Sequence, residues 1–350
     1  MKFSVSALLL ICTLAAHAQT THLQYTVAKW QGNKAAAVSV TFDDCMLSQF
    51  ENAIPVLNDE ARKIPATFFL TGESIPANAE SIIGAYRAGH EIANHSYTHP
   101  PKLADLSVSE IKSELERCQD ATYQLFHKAV SYTMAYPNGS GQGNEAKDSM
   151  VRDILKTLFI GARATQIKSS RINDYLWEDP FTNESYYRVN SAMITDSFSV
   201  IDFKSDLDEA ILKGGWYCAT YHGIETGWVI TSMAHFTAQM DEIIKKKDQL
   251  WIATFGDVVA YHKERNAATL TIVRENNRKW ILSLSDTLSA AVPYTVPLTI
   301  RIKTPSGWVI KSIKQKGKTL AYHIDGDIVQ FNAVPDSGKI VFTKKSIRYF

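Results

Sequence analysis

Seven short apolar runs, separated by stretches of helical character, constrain the fold of this chain more than any other sequence feature. The run at 35–44 (AAAVSVTFDD) is apolar at consecutive positions and rich in β-branched residues, as a strand buried on both faces must be. Such strands alternating with helices predict an α/β fold with a parallel sheet, which a chain of this length would close into a distorted (β/α)7-type barrel. The other predicted strands are 65–72, 90–96, 130–136, 158–164, 216–221 and 251–255.

Local signals predict one helix and a second domain. Ser107 followed by Glu110 has the pattern of a capping box, and an amphipathic stretch continues to about Phe126. After about residue 266 the sequence pattern changes to short strand-like runs separated by clusters of turn residues. We therefore predict a barrel over 19–265 and a small β-sandwich over 266–350. A bracing role for the second domain is favoured over sugar binding, because no exposed aromatic platform is evident. Examples of these strand-like runs are 268–273, 280–284, 298–302 and 340–343.

The N-terminus and the charge balance bear on location and partners. Lys2, the apolar stretch 7–15 and the small residues at 16–18 predict a signal peptide over 1–18, and hence export to the periplasm or the extracellular space. No later stretch offers the roughly 18 uncharged apolar residues of a membrane span. Lys plus Arg number 37 against 36 Asp plus Glu, with no block of like charges, which argues against nucleic acid as a partner. We expect a monomer.

The first chemistry-bearing motif is Asp43-Asp44, at the end of the first predicted strand. Catalytic groups of parallel α/β folds gather at the carboxyl ends of strands, where two adjacent carboxylates repel unless a cation or a proton separates them. Neighbouring residues of a strand point to opposite faces, so both can serve one site only if the strand stops beneath them. The alternative is that the pair caps a following helix.

A second motif, His95 and His99, follows a later strand, on a segment that Pro100 prevents from continuing as helix. One carboxylate with two imidazoles is an open three-ligand set suited to Zn²⁺ or a similar divalent ion. We therefore predict a metal site formed by His95, His99 and one carboxylate of the aspartate pair, with Zn favoured and Co, Mn or Ni as alternatives.

These motifs resemble a known family. The strand PATFFLTG, the segment GHEIANHSYTH ending at His99 and the TFDD strand end are similar to those of the NodB-like polysaccharide deacetylases, the carbohydrate esterases of family four. The resemblance covers about 35–262 and implies the NodB homology fold and metal-dependent removal of acetyl groups from sugars. It also implies that Asp43 is the general base, that Asp44, His95 and His99 are the metal ligands, and that His222 is the general acid.

The family pattern fails at its third motif, Arg-x-Pro-Tyr. Here Ala135 stands in place of the arginine that orients the base, and Asn138 replaces the aromatic residue. An oxyanion can still be held by a backbone N–H at Asn138. We predict that Arg163, at the end of the next strand, supplies the missing guanidinium to Asp43. The family's usual glycine after the two aspartates is Cys45.

Sugar rings stack on aromatic side chains, and several aromatics lie near the predicted strand ends. The predicted function is hydrolysis of N- or O-linked acetyl groups on a poly- or oligosaccharide. The alternatives are a catalytically silent carbohydrate-binding protein on the same fold and a serine esterase, for which no Gly-x-Ser-x-Gly elbow exists. The aromatic candidates for substrate contact are Tyr136, Trp177 (in the nearest match to the family's fourth motif), Tyr221 and Trp228.

Overall fold

The computed structural model describes residues 24–166, 169–174, 184–276, 278–289, 292, 294–305 and 308–345. The predicted signal peptide lies outside the described residues. Within them, the chain forms one curled, largely parallel sheet flanked by helices, and two smaller antiparallel sheets. The predicted α/β class with a C-terminal β region is confirmed.

The curled sheet contains nine strands, in the order β6-β5-β4-β3-β2-β9-β7, with β10 beside β2 and β8 beside β9. All seven predicted strands are among them. The strands up to this point in the chain are β1 (Tyr25–Val27), β2 (Ala36–Asp43), β3 (Ala66–Leu70), β4 (Glu91–Asn94), β5 (Thr133–Ala135), β6 (Gly161–Arg163), β7 (Ile172–Asn173), β8 (Ala192–Met193), β9 (Trp216–Tyr221) and β10 (Leu250–Ile252).

Strand β2 is the centre of this sheet, and all eight of its residues are buried. It pairs with β3 and β9, and its register places Phe42 opposite Phe68, where the two rings stack 4.9 Å apart. Burying an aromatic side chain of this size contributes about 2–3 kcal/mol, so the run of apolar residues seen in the sequence fixes β2 in the core.

Short bridges close the curl. The backbone N–H of Ala164, just after β6, donates to Val189, and Val189 donates back to Ala162. A few residues later β8 pairs with β9. The segment from Val189 to β8 therefore spans the gap between β6 and β9, and brings the ends of all these strands around one cavity.

Seven α-helices cover the sheet in the described part of the chain. The predicted capping box is present, with Ser107 accepting from the backbone of Glu110, and α3 runs to Phe126 as expected. The helices are α1 (Ile54–Leu57), α2 (Ala79–Arg87), α3 (Val108–Phe126), α4 (Ala146–Leu158), α5 (Val200–Lys213), α6 (Met233–Lys245) and α7 (Phe255–Ala267). No helix among the described residues is long and apolar enough to cross a bilayer.

The C-terminal strands form two sheets, in the orders β1-β13-β17-β16 and β11-β12-β18-β14-β15. Phe331 of one sheet and Phe342 of the other meet edge to face at 5.2 Å, so the sheets share a core. The N-terminal strand β1 completes the first sheet by pairing with β13. The strands are β11 (Thr269–Asn276), β12 (Lys279–Ser285), β13 (Leu298–Lys303), β14 (Ile310–Gln315), β15 (Lys318–Thr319), β16 (Tyr322–Asp325), β17 (Ile328–Ala333) and β18 (Ile340–Lys344).

Candidate active site

The two aspartates face one site because β2 stops between them. Asp43 is the last residue of the strand, and the next two residues, Asp44 and Cys45, have φ angles of 75° and 60°. This left-handed conformation is unfavourable for residues with a Cβ, at a cost of about 1 kcal/mol each, and it turns the chain sharply out of the sheet. Neither aspartate caps a helix in this structure, and both carboxylates lie beside His95.

Asp44, His95 and His99 converge on one point. The Asp44 Oδ1 atom lies 3.5 Å from Nε2 of His95 and 3.6 Å from Nε2 of His99, and one ligand atom from each residue falls within 4.8 Å of the others. The other ring nitrogen of His95, Nδ1, lies 2.9 Å from the carbonyl oxygen of Ala135. That contact fixes the imidazole with Nε2 directed at Asp44, as the outer hydrogen bond of a metal-binding histidine does.

Glu114 of α3 holds the loop that carries these imidazoles. Its Oε2 accepts from the backbone N–H groups of Tyr97 and Thr98, at 3.1 and 2.8 Å, and its Oε1 accepts from the Thr98 hydroxyl at 3.0 Å. Glu114 was not predicted from the sequence. A signal was present, because Glu114 interrupts the apolar stripe of an amphipathic helix beside Ile111 and Leu115.

Asp43 is buried between a cation and an imidazole. The guanidinium of Arg163 donates through Nη2 to Asp43 Oδ2, and Nε2 of His222 lies 3.9 Å from the same oxygen. Among the described residues, Oδ1 of Asp43 has no hydrogen-bond partner. The base, the acid and the arginine predicted from the sequence are therefore neighbours.

Arg163 is itself held on several sides. Its Nη1 donates to the hydroxyl of Ser191 at 3.0 Å and to the carbonyl of Ala164 at 3.4 Å, and its guanidinium carbon lies 5.2 Å from the centre of the Phe69 ring. The side chain is only 2% exposed. A buried guanidinium this constrained presents its Nη2 to Asp43 in one orientation.

Gln49 joins the two strand ends on which the base and the acid sit. Its Nε2 donates to the carbonyl oxygens of Asp43, at 2.5 Å, and of His222, at 3.1 Å. Gln49 could not be predicted from the sequence, because a glutamine after a strand has no characteristic spacing. Its amide fixes the separation of β2 and β9 at the cavity.

Burial and charge shift the pKa values of the site in different directions. Burial alone would raise the pKa of Asp44, but the hydrogen bond and charge of His95, helped by His222 and His99, hold it below its usual value. The pKa of His95 is raised despite its burial, because Asp43 and Asp44 favour its charged form. Burial lowers the pKa of His222, and it lowers that of His99 with help from the charge of His95. The site thus mixes groups that favour charge with groups that resist it.

These residues open onto a cavity of about 230 Å³. Trp228 is 58% exposed at its edge, and its ring meets the His222 ring edge to face at 4.9 Å. Tyr136 forms part of the wall, with its hydroxyl donating to the carbonyl of Tyr187 at 2.8 Å. Asn138 also lines the cavity, as do four residues that sequence analysis did not single out: Thr165, Ser191, Met193 and Thr220.

Tyr221 does not reach the cavity, so its predicted contact with substrate is wrong. Its ring packs between Phe42 and Phe236, and its hydroxyl donates to Gln239 of α6 at 2.8 Å. Side chains alternate along β9, and it is Thr220 and His222 that line the cavity. Trp177, another aromatic candidate, lies outside the described residues.

Residues 31–157 match the model of the polysaccharide deacetylase family. This part of the chain is a polysaccharide deacetylase domain. The match includes Asp43, Asp44, His95 and His99, so the resemblance seen in the motifs is confirmed.

Two curated relatives add to the family match, and one of them extends beyond the deacetylase domain. Over 344 residues, 91% of this chain, the sequence is 24% identical to a gellan lyase from a Bacillus species. A stretch of 121 residues, 33% of the chain, is 31% identical to the peptidoglycan-N-acetylmuramic acid deacetylase PdaC from Bacillus subtilis. The matches span only 13% and 24% of the lengths of these two proteins.

Among solved structures, a candidate polysaccharide deacetylase from Mycobacterium smegmatis has the same fold. It matches with a TM-score of 0.50 at 16% identity, over 72% of this chain and 98% of that one. The agreement supports the barrel architecture around the deacetylase domain.

Proposed function

We propose that the protein is a metal-dependent hydrolase that removes N- or O-linked acetyl groups from a poly- or oligosaccharide. The observation that carries this proposal is the convergence of Asp44, His95 and His99 beside the paired Asp43 and His222. The membership of the deacetylase domain supports the reaction class, and the names of the relatives support a polysaccharide substrate.

The donor set fits a divalent ion. One carboxylate and two imidazoles leave coordination positions open, which is typical of catalytic rather than structural sites, and Zn²⁺ is the ion that this mixture of ligands suits best. The hydrogen bond from His95 to Ala135 leaves Nε2 as the ligand atom. When bound, the ion would lower the pKa of water toward neutrality and polarise the acetyl carbonyl.

Asp43 is the proposed general base. It lies outside the ligand set, with Oδ1 free of hydrogen bonds among the described residues and Oδ2 held by Arg163. A carboxylate with one oxygen anchored and the other open can take a proton without losing its orientation. Arg163 takes the part of the arginine that Ala135 lacks, from the neighbouring strand β6.

His222 is the proposed general acid, and the Asn138 backbone is the proposed oxyanion donor. The leaving nitrogen or oxygen of the sugar must depart protonated, and His222 faces Asp43 across the cavity with its own charge state sensitive to nearby groups. The backbone N–H of Tyr136 already donates to the backbone carbonyl oxygen of Arg163. The N–H of Asn138, which lines the same wall, is therefore the donor left for the developing oxyanion.

The exposed ring of Trp228 is the proposed platform for a sugar at the cavity edge. Tyr136 contributes wall area only, because its hydroxyl is engaged by Tyr187. The predicted export belongs to the same proposal, since a glycan substrate of this kind lies outside the cytoplasm. The monomeric state stays a prediction.

Acetate release tests the proposal. Protein loaded with Zn²⁺ is incubated with chitooligosaccharide, peptidoglycan fragments and acetylated xylan, beside Asp43→Asn and a control, Asp120→Asn, that changes an exposed carboxylate on α3. We expect release by the wild type and by Asp120→Asn, at least about a hundredfold less by Asp43→Asn, and loss of release with a chelator.

The metal content separates this proposal from its rival. Asp43→Asn should retain about one ion per chain, whereas His95→Ala should lose it, because Asp43 is outside the ligand set. Stoichiometric metal and tight glycan binding with no release from any substrate would instead identify a silent carbohydrate-binding protein.

A further inference from the structure

The total charge of the chain is near neutral, but its C-terminal part is strongly positive and the rest is negative. After Ala267 the sequence has 13 Lys and Arg against five Asp and Glu, a net charge of +8, whereas the part before it has a net charge of −7. The basic residues are scattered along the sequence, so no run of like charges reveals them. The fold gathers several of them on one sheet.

Four cations share the outer face of the five-stranded sheet. Alternation along the strands buries Trp280, Leu282 and Phe342 on the inner face, and so turns their neighbours outward. The register places Arg274 beside Ile281, Ile281 beside Val341, and Val341 beside Lys314. On one side of this rung lies a second rung, formed by Asn276, Lys279, Thr343 and Ser312. On its other side, Lys339 donates to the hydroxyl of Ser283 at 2.9 Å.

This face, which we call the basic face, consists of Arg274, Lys279, Lys314 and Lys339 around an apolar and hydroxyl floor of Ile281, Val341, Ser283, Ser312 and Thr343. Arg274 and Lys314 lie on strands β11 and β14, three strand spacings apart, or about 14 Å. No acidic side chain occupies the rungs just described, and among the described residues none of the four cations has a carboxylate within 4.0 Å. A groove of about 600 Å³ lies at one edge, lined by Arg274, Asn276, Arg278, Lys279 and Ile281.

We propose that the basic face binds an anionic polysaccharide, holding the carboxylated or phosphorylated chain on the C-terminal sheet. Unpaired cations attract an anion, the hydroxyls of Ser and Thr can bond to sugar hydroxyls, and the flat Ile281 and Val341 surface suits the apolar face of a sugar ring. The choice of a glycan rather than another polyanion rests on the proposed function. The basic face differs from the deacetylase cavity in residues and in chemistry, since it lacks a base, an acid and a ligand set.

The test measures binding by calorimetry, with the full chain, to polygalacturonate as the probe. Neutral dextran of similar length, duplex DNA and vesicles of anionic phospholipid are the comparison probes, at low salt and at about 0.3 M salt. The variant Arg274→Gln/Lys279→Gln/Lys314→Gln removes three of the four charges of the basic face. Its matched control, Lys112→Gln/Lys128→Gln/Lys247→Gln, removes the same charge from exposed positions of the barrel.

We expect the wild type to bind polygalacturonate and not dextran, and to bind more weakly at the higher salt. The basic-face variant should bind about tenfold more weakly or worse, while the control changes by less than about twofold. Equal loss in both variants, or no preference for polygalacturonate over dextran, would overturn the proposal. Tighter binding to DNA or to vesicles at equal salt would overturn the choice of a glycan.

Binding at the basic face and hydrolysis in the cavity can be tested separately, so a failure of one proposal can be told from a failure of the other. Asp43→Asn should bind polygalacturonate as the wild type does, because the basic face contains no residue of the cavity. The basic-face variant should release acetate from short neutral oligosaccharides at the wild-type rate. Matching melting temperatures for the two triple variants would show that the lost binding does not reflect misfolding.

Discussion

Asp43 and Arg163 come from different strands, yet they form one unit. The guanidinium reaches the carboxylate from β6, while Ser191, the Ala164 carbonyl and the Phe69 ring prevent it from turning away. A cation at a neighbouring strand end can therefore replace one lost from the third family motif, because both positions open onto the same cavity. The replacement for the motif arginine was therefore to be found among residues close to Asp43 in space, not at the corresponding position of the sequence.

Replacing Arg163 with Gln should lower kcat about a hundredfold and change KM by less than about threefold. The amide keeps a hydrogen-bond donor but removes the positive charge that anchors Asp43. Because the Arg163 side chain is only 2% exposed, we expect it to contribute little to substrate binding itself. Steady-state acetate release from an acetylated oligosaccharide gives both constants.

Arg152→Gln is the control for this prediction. It removes another buried arginine, one that donates to Glu184 and to the carbonyl of Gly143 outside the cavity. We expect it to lower the melting temperature while leaving kcat of the folded fraction close to that of the wild type. A normal kcat for Arg163→Gln would show that Asp43 does not depend on this cation.

Helix α3 acts on the site without contributing a ligand. Glu114 takes three hydrogen bonds from the loop between His95 and His99, so the helix sets the distance between the two imidazoles. We expect Glu114→Gln to weaken Zn²⁺ binding about tenfold, since the amide can accept through one atom only and outer contacts of this kind carry such effects. Competition with a chromogenic chelator measures the affinity.

Glu116→Gln is the matched variant, because Glu116 lies on the same helix but is exposed. It should bind Zn²⁺ as the wild type does. If Glu114→Gln also binds normally, the loop is held by its own backbone turns, including the left-handed Ser96 and His99, and Glu114 is a structural residue only.

The start of α3 offers a separate test of stability. Ser107 accepts from the backbone of Glu110, and the Glu110 carboxylate accepts in turn from Ser107. Ser107→Ala should reduce the free energy of unfolding by about 1 kcal/mol, because it leaves an N–H of the first turn without its cap. Urea denaturation measures the change, and Ser113→Ala, exposed in the helix interior, should cost less than about 0.5 kcal/mol.

The sequence predicted elements well where one local signal dominates. The fully apolar runs correctly located the seven predicted strands of the barrel, and the capping box correctly located the first turn of α3. The runs singled out from the sequence did not include β14, β16 and β17, where lysines and other polar residues alternate with buried ones. In β14 a register shift between Ile310 and Ser312 also breaks the period. The pairing of β1 with β13 could not be predicted, because it depends on two segments more than 270 residues apart.

The same distinction holds at the site. Asp43, Asp44, His95, His99, Arg163 and His222 stand at strand ends, and parallel topology brings strand ends together. Glu114 and Gln49 act through backbone atoms of distant segments, which no spacing encodes. The prediction that Tyr221 contacts substrate was wrong, because side chains alternate along β9 and Tyr221 points into the core. This two-residue alternation could have been applied to the sequence of β9.

At the scale of the whole molecule, α7 joins the barrel to the C-terminal sheets. Tyr261 donates to the carbonyl of Ala28, next to β1, and Glu264 is fully buried on the same helix. Among the described residues, neither carboxylate oxygen of Glu264 has a hydrogen-bond partner. Burial, with the charge of Asp286 in second place, raises the pKa of Glu264 to about 8.

This buried carboxyl should make stability depend on pH. In the unfolded chain Glu264 ionises near its ordinary pKa of 4.5, whereas in the folded protein it keeps its proton until the pH reaches about 8. The folded state therefore binds more protons between these two values, and the contribution of Glu264 to stability is present below pH 4.5 and is lost as the pH rises through about 8. Glu264→Gln, which cannot ionise, should escape this loss.

We expect Glu264→Gln to gain about 1 kcal/mol relative to the wild type between pH 6 and pH 9, after allowing for solvent screening. Urea denaturation at both pH values measures the gain, and Glu116→Gln, an exposed change of the same kind, should show none. An equal pH dependence in the wild type and Glu264→Gln would mean that Glu264 is charged and paired in the folded protein. The junction between barrel and sheets would then tolerate a buried charge. The pH response would have to come from another group, of which Glu91, partly buried with a pKa raised by burial to about 7, is the strongest candidate.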